Sequence, residues 1–214
     1  MSDSAAAQVC ILDDDADVRD SLATLLRSAG YRVAAFADPD SFLAYDGLET
    51  AACLILDVRL GAVDGLDFQE SLTESDNHLP VILMSGHGDI PMTVRGMRAG
   101  AVTFLPKPFA EADMLAAIDE AIALDAERRA QDRARDSLRA RYDSLTPRER
   151  DVLSLVTAGL MNKQIAGRLD LSEITVKIHR GNMMRKMQAE SLADLAIMAE
   201  SLGVREQISR YNHS

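Results

Sequence analysis

Cysteine is almost missing from this chain: Cys10 and Cys53 are the only two in 214 residues. Each lies inside a short apolar run, VCIL (9–12) and CLIL (53–56), that reads as a buried strand. The pair is therefore expected as packed free thiols, which argues against a disulfide framework or a cysteine-held metal. Long apolar stretches are missing as well, and none approaches the roughly 20 residues a membrane helix requires. The opening MSDSAAAQVC has neither the basic start nor the apolar centre of a secretory signal, so the expected location is cytoplasmic, with no membrane partner. Positive charge is scarce in the first part: residues 1–124 hold 7 Lys/Arg against 21 Asp/Glu, whereas residues 125–214 hold 16 against 13. The first part would repel nucleic acid, and the second could bind it despite the acidic pI of 4.8.

What is present is enough apolar residue, 47%, for real cores, and a length suited to two domains. Short apolar runs alternate with amphipathic stretches: 9–12 then 17–28, 31–36 then 38–48, 53–56 then 65–75, 81–84 then 90–99, and 102–105 then 109–124. Five strand-helix units imply an α/β fold, a flavodoxin-like, doubly wound, five-stranded parallel sheet. Asp38 before Pro39 marks a helix start, and Gly30 and Gly100 mark helix ends. The charged stretch AERRAQDRARDSLRARY pairs Asp125 with Arg129 at helical spacing and reads as a solvated helical linker over 125–143. Residues 1–124 are then the first domain and 144–214 the second, an all-α, four-helix domain. Thr146, Pro147 and Glu149 form a capping box; Asn162 is expected to cap NKQIAGRL and Ser172 to cap EITVKIHRGNMMRKM. That spacing is helix-turn-helix.

The run CLILDVRLG ends a buried strand on a carboxylate, Asp57, and other strand ends carry chemistry too. The first strand ends in Asp13 and Asp14, the fourth in Ser85, the fifth in Lys107. In an open parallel sheet these ends line one crevice. Three neighbouring carboxylates call for a hard divalent cation such as Mg²⁺, and a hydroxyl with an ammonium suits a phosphoryl group, so the implied chemistry is phosphoryl transfer to Asp57. LDDDAD also fits the DxD signature of haloacid-dehalogenase-like phosphatases, with Asp13 as nucleophile and Asp15 as acid/base. That fold needs a later acidic GDxxxD, and here Gly88 and Asp89 lead to Thr93.

Residues 163–188 carry net positive charge. On the predicted helix 173–187, Val176, Met183 and Met187 share a buried face, leaving Thr175, Lys177, Ile178 and Gly181 opposite. Small and basic residues on a free helix face suit the major groove, and Arg180, Asn182, Lys163 and Arg185 complete the candidate DNA contacts.

LDDD, LILDVR, MSGHGD and FLPKPF stand in the order of a response-regulator receiver domain, and LTPRERDVLSLVTAGLMNKQIAGRLDLSEITVKIHR resembles a LuxR-type helix-turn-helix. Together they resemble the FixJ branch of the NarL/FixJ response regulators over nearly the whole chain. The resemblance implies a transcriptional regulator, not an enzyme, phosphorylated on Asp57 by a sensor histidine kinase. It implies Mg²⁺ on Asp13, Asp14, Asp57 and the Arg59 carbonyl, phosphoryl contacts from Ser85 and Lys107, a cis Lys107–Pro108 bond, and Phe104 as the switch aromatic. Promoter DNA, RNA polymerase and a second copy of the chain, as a phosphorylation-dependent homodimer, are the implied partners. A phosphorylation-independent DNA-binding regulator is the alternative. Two departures from the family pattern are Leu60-Gly61 for its usual Met-Pro, expected to loosen the loop after Asp57, and Ser85 for the commoner Thr.

Overall fold

The computed structural model describes residues 7–75, 78–86 and 90–204. The chain divides into two compact units, Met1–Arg129 and Ala130–Ser214.

The first unit holds β1 (Gln8–Leu12), α1 (Ala16–Ser28), β2 (Arg32–Phe36), α2 (Pro39–Leu43), β3 (Ala51–Asp57), β4 (Arg59–Leu60), β5 (Val63–Asp64), α3 (Gly65–Glu74), β6 (Val81–Ser85), α4 (Ile90–Arg98), β7 (Thr103–Pro106) and the start of α5 (Glu111–Asp143). Five strands form a parallel sheet in the order β2-β1-β3-β6-β7. Side chains of a strand alternate between faces. Cys10, Leu12, Leu54 and Leu56 accordingly join one core with Phe42, Leu66 and Leu72, while Val9, Ile11, Cys53 and Ile55 join the other with Leu26, Met114 and Ile118. Helices α2, α3 and α4 thus cover one face and α1 and α5 the other, the doubly wound arrangement. Cys10 and Cys53 fall into opposite cores as free, buried thiols.

Local chemistry sets the ends of these elements. Asp15, Asp38 and Asp64 cap α1, α2 and α3 by accepting from backbone N–H groups of the first turn. Helix α2 is shorter than the expected 38–48: it stops at Leu43, and a 3₁₀ turn at Leu48–Thr50 follows. Past the helix end the Tyr45 ring lies so close to Gly47 that an added Cβ there would be 2.3 Å from it, so this turn accommodates only glycine without a shift of the ring.

Residues 125–129 are not a solvated linker. Asp125 is 4% exposed and accepts from Arg128 and Arg129, and Arg129 donates to the carbonyls of Glu49 and Ala51, both at 2.7 Å.

In the second unit the end of α5 is followed by α6 (Pro147–Thr157), α7 (Asn162–Leu169), α8 (Glu173–Met187) and α9 (Leu192–Ser201). They enclose a core of Val152, Leu153, Ile165, Val176, Met183, Met187 and Leu195, with Leu138 and Tyr142 of α5 packed on it. The Thr146 and Glu149 capping box starts α6, and Ser172 caps α8. Asn162 does not cap α7: Met161 holds that place, its N–H bonded to the Gln164 side chain, while the Asn162 side chain accepts from Arg180 at 2.9 Å. Between α7 and α8 the chain turns at Asp170, whose φ is 54°.

Candidate functional sites

At the carboxyl end of the sheet, β1 and β3 are direct neighbours, so the residues that end them meet. Asp57 is the last residue of β3 and Asp13 follows β1; both are buried, at 8% and 0% exposure, while Asp14 is exposed. Carboxylate oxygens of Asp13, Asp14 and Asp57 all lie within 4.8 Å of one another. Lys107 reaches in from beyond β7, its Nζ 2.8 Å from Asp13 and 3.5 Å from Asp57, and the Lys107–Pro108 bond is cis. The backbone holds the cluster: Asp13 accepts from Asp15 N–H, Arg19 donates to the Asp13 carbonyl, and Lys107 N–H donates to the Ser85 carbonyl.

Burial pushes the Asp57 carboxyl above its ordinary value; Lys107 opposes the shift, the Asp13 charge adds to it, and the Arg59 N–H and a Lys107 hydrogen bond partly offset it. An oxygen-only donor set of mutually repelling carboxylates, with Asp14 open to solvent, fits a hard divalent cation such as Mg²⁺. Arg59 presents its side chain to solvent, and β4 and β5 pair as a small hairpin with Leu60 buried and Gly61 at φ 59°. The loop after Asp57 thus carries a short antiparallel pairing, Arg59 with Asp64 and Leu60 with Val63.

Ser85, the last residue of β6, is 1% exposed and donates its hydroxyl to the Met92 thioether of α4 at 3.8 Å, a contact the sequence reading missed. Phe104 is half-buried on β7 and packs, like Met92, against the core cluster of β1, β3 and α3. His87, Gly88 and Asp89 of the MSGHGD motif lie outside the described residues. The carboxylate of Asp15 is engaged by Asp17 and Val18 N–H at the start of α1, which leaves it poorly placed for acid/base work of the phosphatase kind.

The second site is α8. Lys177, Ile178, Gly181 and Arg185 are exposed, as is Lys163 of α7, and Val176, Met183 and Met187 are fully buried on the reverse face. Three of the expected contact residues have partners within the domain. Thr175 is half-buried against the Ser172 hydroxyl, Arg180 is turned to Asn162 on the inner side, and Asn182 accepts from Arg185 at 3.0 Å. Ile174, absent from the sequence reading, is 74% exposed four residues before Ile178. Its helical spacing to Ile178 and Gly181 was the available signal.

Comparison with known proteins agrees with this division. Residues 9–119 match the response regulator receiver domain and residues 143–199 the bacterial regulatory proteins of the luxR family. The chain is 47% identical over 201 residues to nodulation protein W of Bradyrhizobium diazoefficiens, covering 94% of this chain and 88% of that one. It is 42% identical over 198 residues to the transcriptional regulatory protein FixJ of the same organism, covering 92% and 96%. Among solved structures, the response regulator StyR superposes with a TM-score of 0.82 at 47% identity, covering 92% of this chain and 99% of that one.

Proposed function

From the premise that the chain belongs to the FixJ-like two-component response regulators, with a receiver domain and a LuxR-type output domain, we propose that a sensor histidine kinase phosphorylates Asp57 and thereby switches promoter binding. The observation that carries this reading is the convergence of Asp57, Asp13, Asp14 and Lys107 at neighbouring strand ends.

Residues Met1–Arg129 act as the phosphoacceptor unit and Ala130–Ser214 as the DNA-binding unit. An Asp57 oxygen attacks the phosphorus of a phosphohistidine; the new O–P bond forms as the P–N bond breaks, and the imidazole leaves with the electron pair and takes a proton. Asp13, Asp14, Asp57 and the Arg59 carbonyl would hold Mg²⁺, which when bound neutralises charge on the carboxylate and phosphoryl oxygens. The Lys107 ammonium shifts from Asp13 to a phosphoryl oxygen. The Ser85 hydroxyl leaves Met92 for another, and Phe104 turns into the space behind it. Helix α4 carries Ile90, Val94 and Met97 as exposed apolar residues, 81%, 42% and 44% accessible. A second phosphorylated copy covers that stripe, and the resulting homodimer presents two α8 helices to half-sites about one DNA turn apart. RNA polymerase is then recruited at the promoter. The setting is cytoplasmic, in keeping with the absence, among the described residues, of any helix long and apolar enough to cross a membrane.

Acetyl phosphate with Mg²⁺ tests the reading. Intact-mass spectrometry is expected to show one added phosphoryl group, none without Mg²⁺ and none on Asp57→Asn; equal labelling of the variant would move the acceptor elsewhere.

A further inference from the structure

The exposed face of α8 says which bases it reads. At 3.6 residues per turn, Ile174, Ile178, Gly181 and Arg185 lie along one line with Lys177 beside it, and Val176, Met183 and Met187 lie on the opposite side. Ile174 is 74% exposed and Ile178 58%, in successive turns of the same face. Scattered apolar residues on a surface need no explanation, but two stacked on a face that also carries Lys177 and Arg185 make an apolar strip within a basic helix. Gly181 continues that strip. A Cβ added there would meet nothing within 4 Å, so nothing inside the protein requires glycine, although in a helix interior it costs roughly 1 kcal/mol relative to alanine. The helix has therefore given up stability to keep this line low and apolar.

A strip of this kind needs an apolar counterpart. In the major groove the apolar feature of the base edges is the C5-methyl group of thymine. Isoleucine suits it, because a branched Cβ leaves few χ1 rotamers to lose on contact. We propose that Ile174 and Ile178 are specificity residues that each pack on a thymine methyl. The four-residue separation advances about 6 Å along the helix, and a helix following the major groove places residues three to four apart on successive bases. Each half-site then contains two thymine methyls on neighbouring base pairs, with Lys177 directed at a guanine edge or phosphate near them. This deepens the DNA-binding reading above and rests on it.

The test uses the full chain treated with phosphodonor and a duplex selected by it from a random pool. Thymines are replaced one at a time by uracil, which removes the methyl group and nothing else. The expected result is two positions per half-site at which affinity falls about fourfold, the scale of one buried methyl. Ile174→Ala and Ile178→Ala should each lower affinity for the thymine duplex and become indifferent to uracil at one of those positions. Duplex binding that is unaffected by every uracil substitution overturns the inference while leaving DNA binding intact, and assigns the strip to a protein partner. Failure of the treated chain to enrich any duplex overturns the reading beneath it as well.

Discussion

The hydroxyl of Ser85 donates to the thioether of Met92, 3.8 Å away, and so links the end of β6 to the first turns of α4. Sulfur is a weak acceptor, so breaking this contact costs little when a phosphoryl oxygen becomes available. Met92→Leu keeps the volume and removes the acceptor. The variant should take up phosphate to the same extent by intact mass yet dimerise at about half the phosphoprotein concentration in light scattering, as expected for losing a hydrogen bond at the weak end of the range. An unchanged midpoint would mean that the contact carries no signal.

Two glycines should respond in opposite senses. A Cβ at Gly65 would lie 2.2 Å from the backbone oxygen of Asp57 and 2.9 Å from Val58 Cα, atoms that cannot swing away. Gly65→Ala is expected to cost about 3 kcal/mol or more and to lower the yield of phosphorylation, since Asp57 itself is displaced. Gly181→Ala should instead stabilise α8 by roughly 1 kcal/mol while weakening DNA binding. Thermal melts paired with a binding titration check both.

Charging Asp57 opposes folding. Its folded pKa lies above the ordinary 3.8, so the carboxyl contributes stability below that value and loses it as the pH rises through the raised value. Without Mg²⁺ at pH 7, Asp57→Asn should therefore melt at a higher temperature than the parent. The advantage should vanish below pH 3.8. Added Mg²⁺ should raise the melting temperature of the parent more than that of the variant.

Glu149 shows the reverse sign. Burial opposes its charge, but the Lys186 ammonium at 2.7 Å and the Thr146 N–H at 2.8 Å outweigh it, and its carboxyl is held below the ordinary 4.5. Its contribution is present above 4.5 and lost as the pH falls through the lowered value. Glu149→Ala leaves the capping box open and Lys186 without its carboxylate, at a cost of about 3 kcal/mol. Hydrogen exchange in peptides from α6 and α8 should speed up in the variant at neutral pH, and the difference should shrink in acid.

The five-stranded parallel sheet and the meeting of Asp13, Asp14, Asp57 and Lys107 were legible in the sequence, because continuous apolar runs alternate with amphipathic stretches and these four residues stand at or just past strand ends. Features that depend on one side chain choosing among nearby partners were not. Asn162 could cap α7 by its residue type, but it binds Arg180, whose helical position already sets it beside the buried Val176 and Met187. Thr175 looked free by helical angle until the Ser172 hydroxyl, one turn away, engaged it. Asp125 and Arg129 have the spacing of a surface pair, and nothing local indicates that carbonyls of Glu49 and Ala51, nearly eighty residues earlier, complete the guanidinium shell. Ile174 was passed over because an apolar residue at a helix start reads first as packing.

That guanidinium has a bearing on how the protein can be cut and recombined. Arg129 is fastened to the entry of β3, the seven-residue strand that ends in Asp57, and Asp125 is sealed beneath it. A receiver excised at residue 124 would lose its own clasp and bare the carbonyls of Glu49 in the 3₁₀ turn and Ala51 in β3, whereas one excised after 129 would keep them satisfied. Hybrid regulators that borrow this receiver for a different output module should be spliced beyond Arg129.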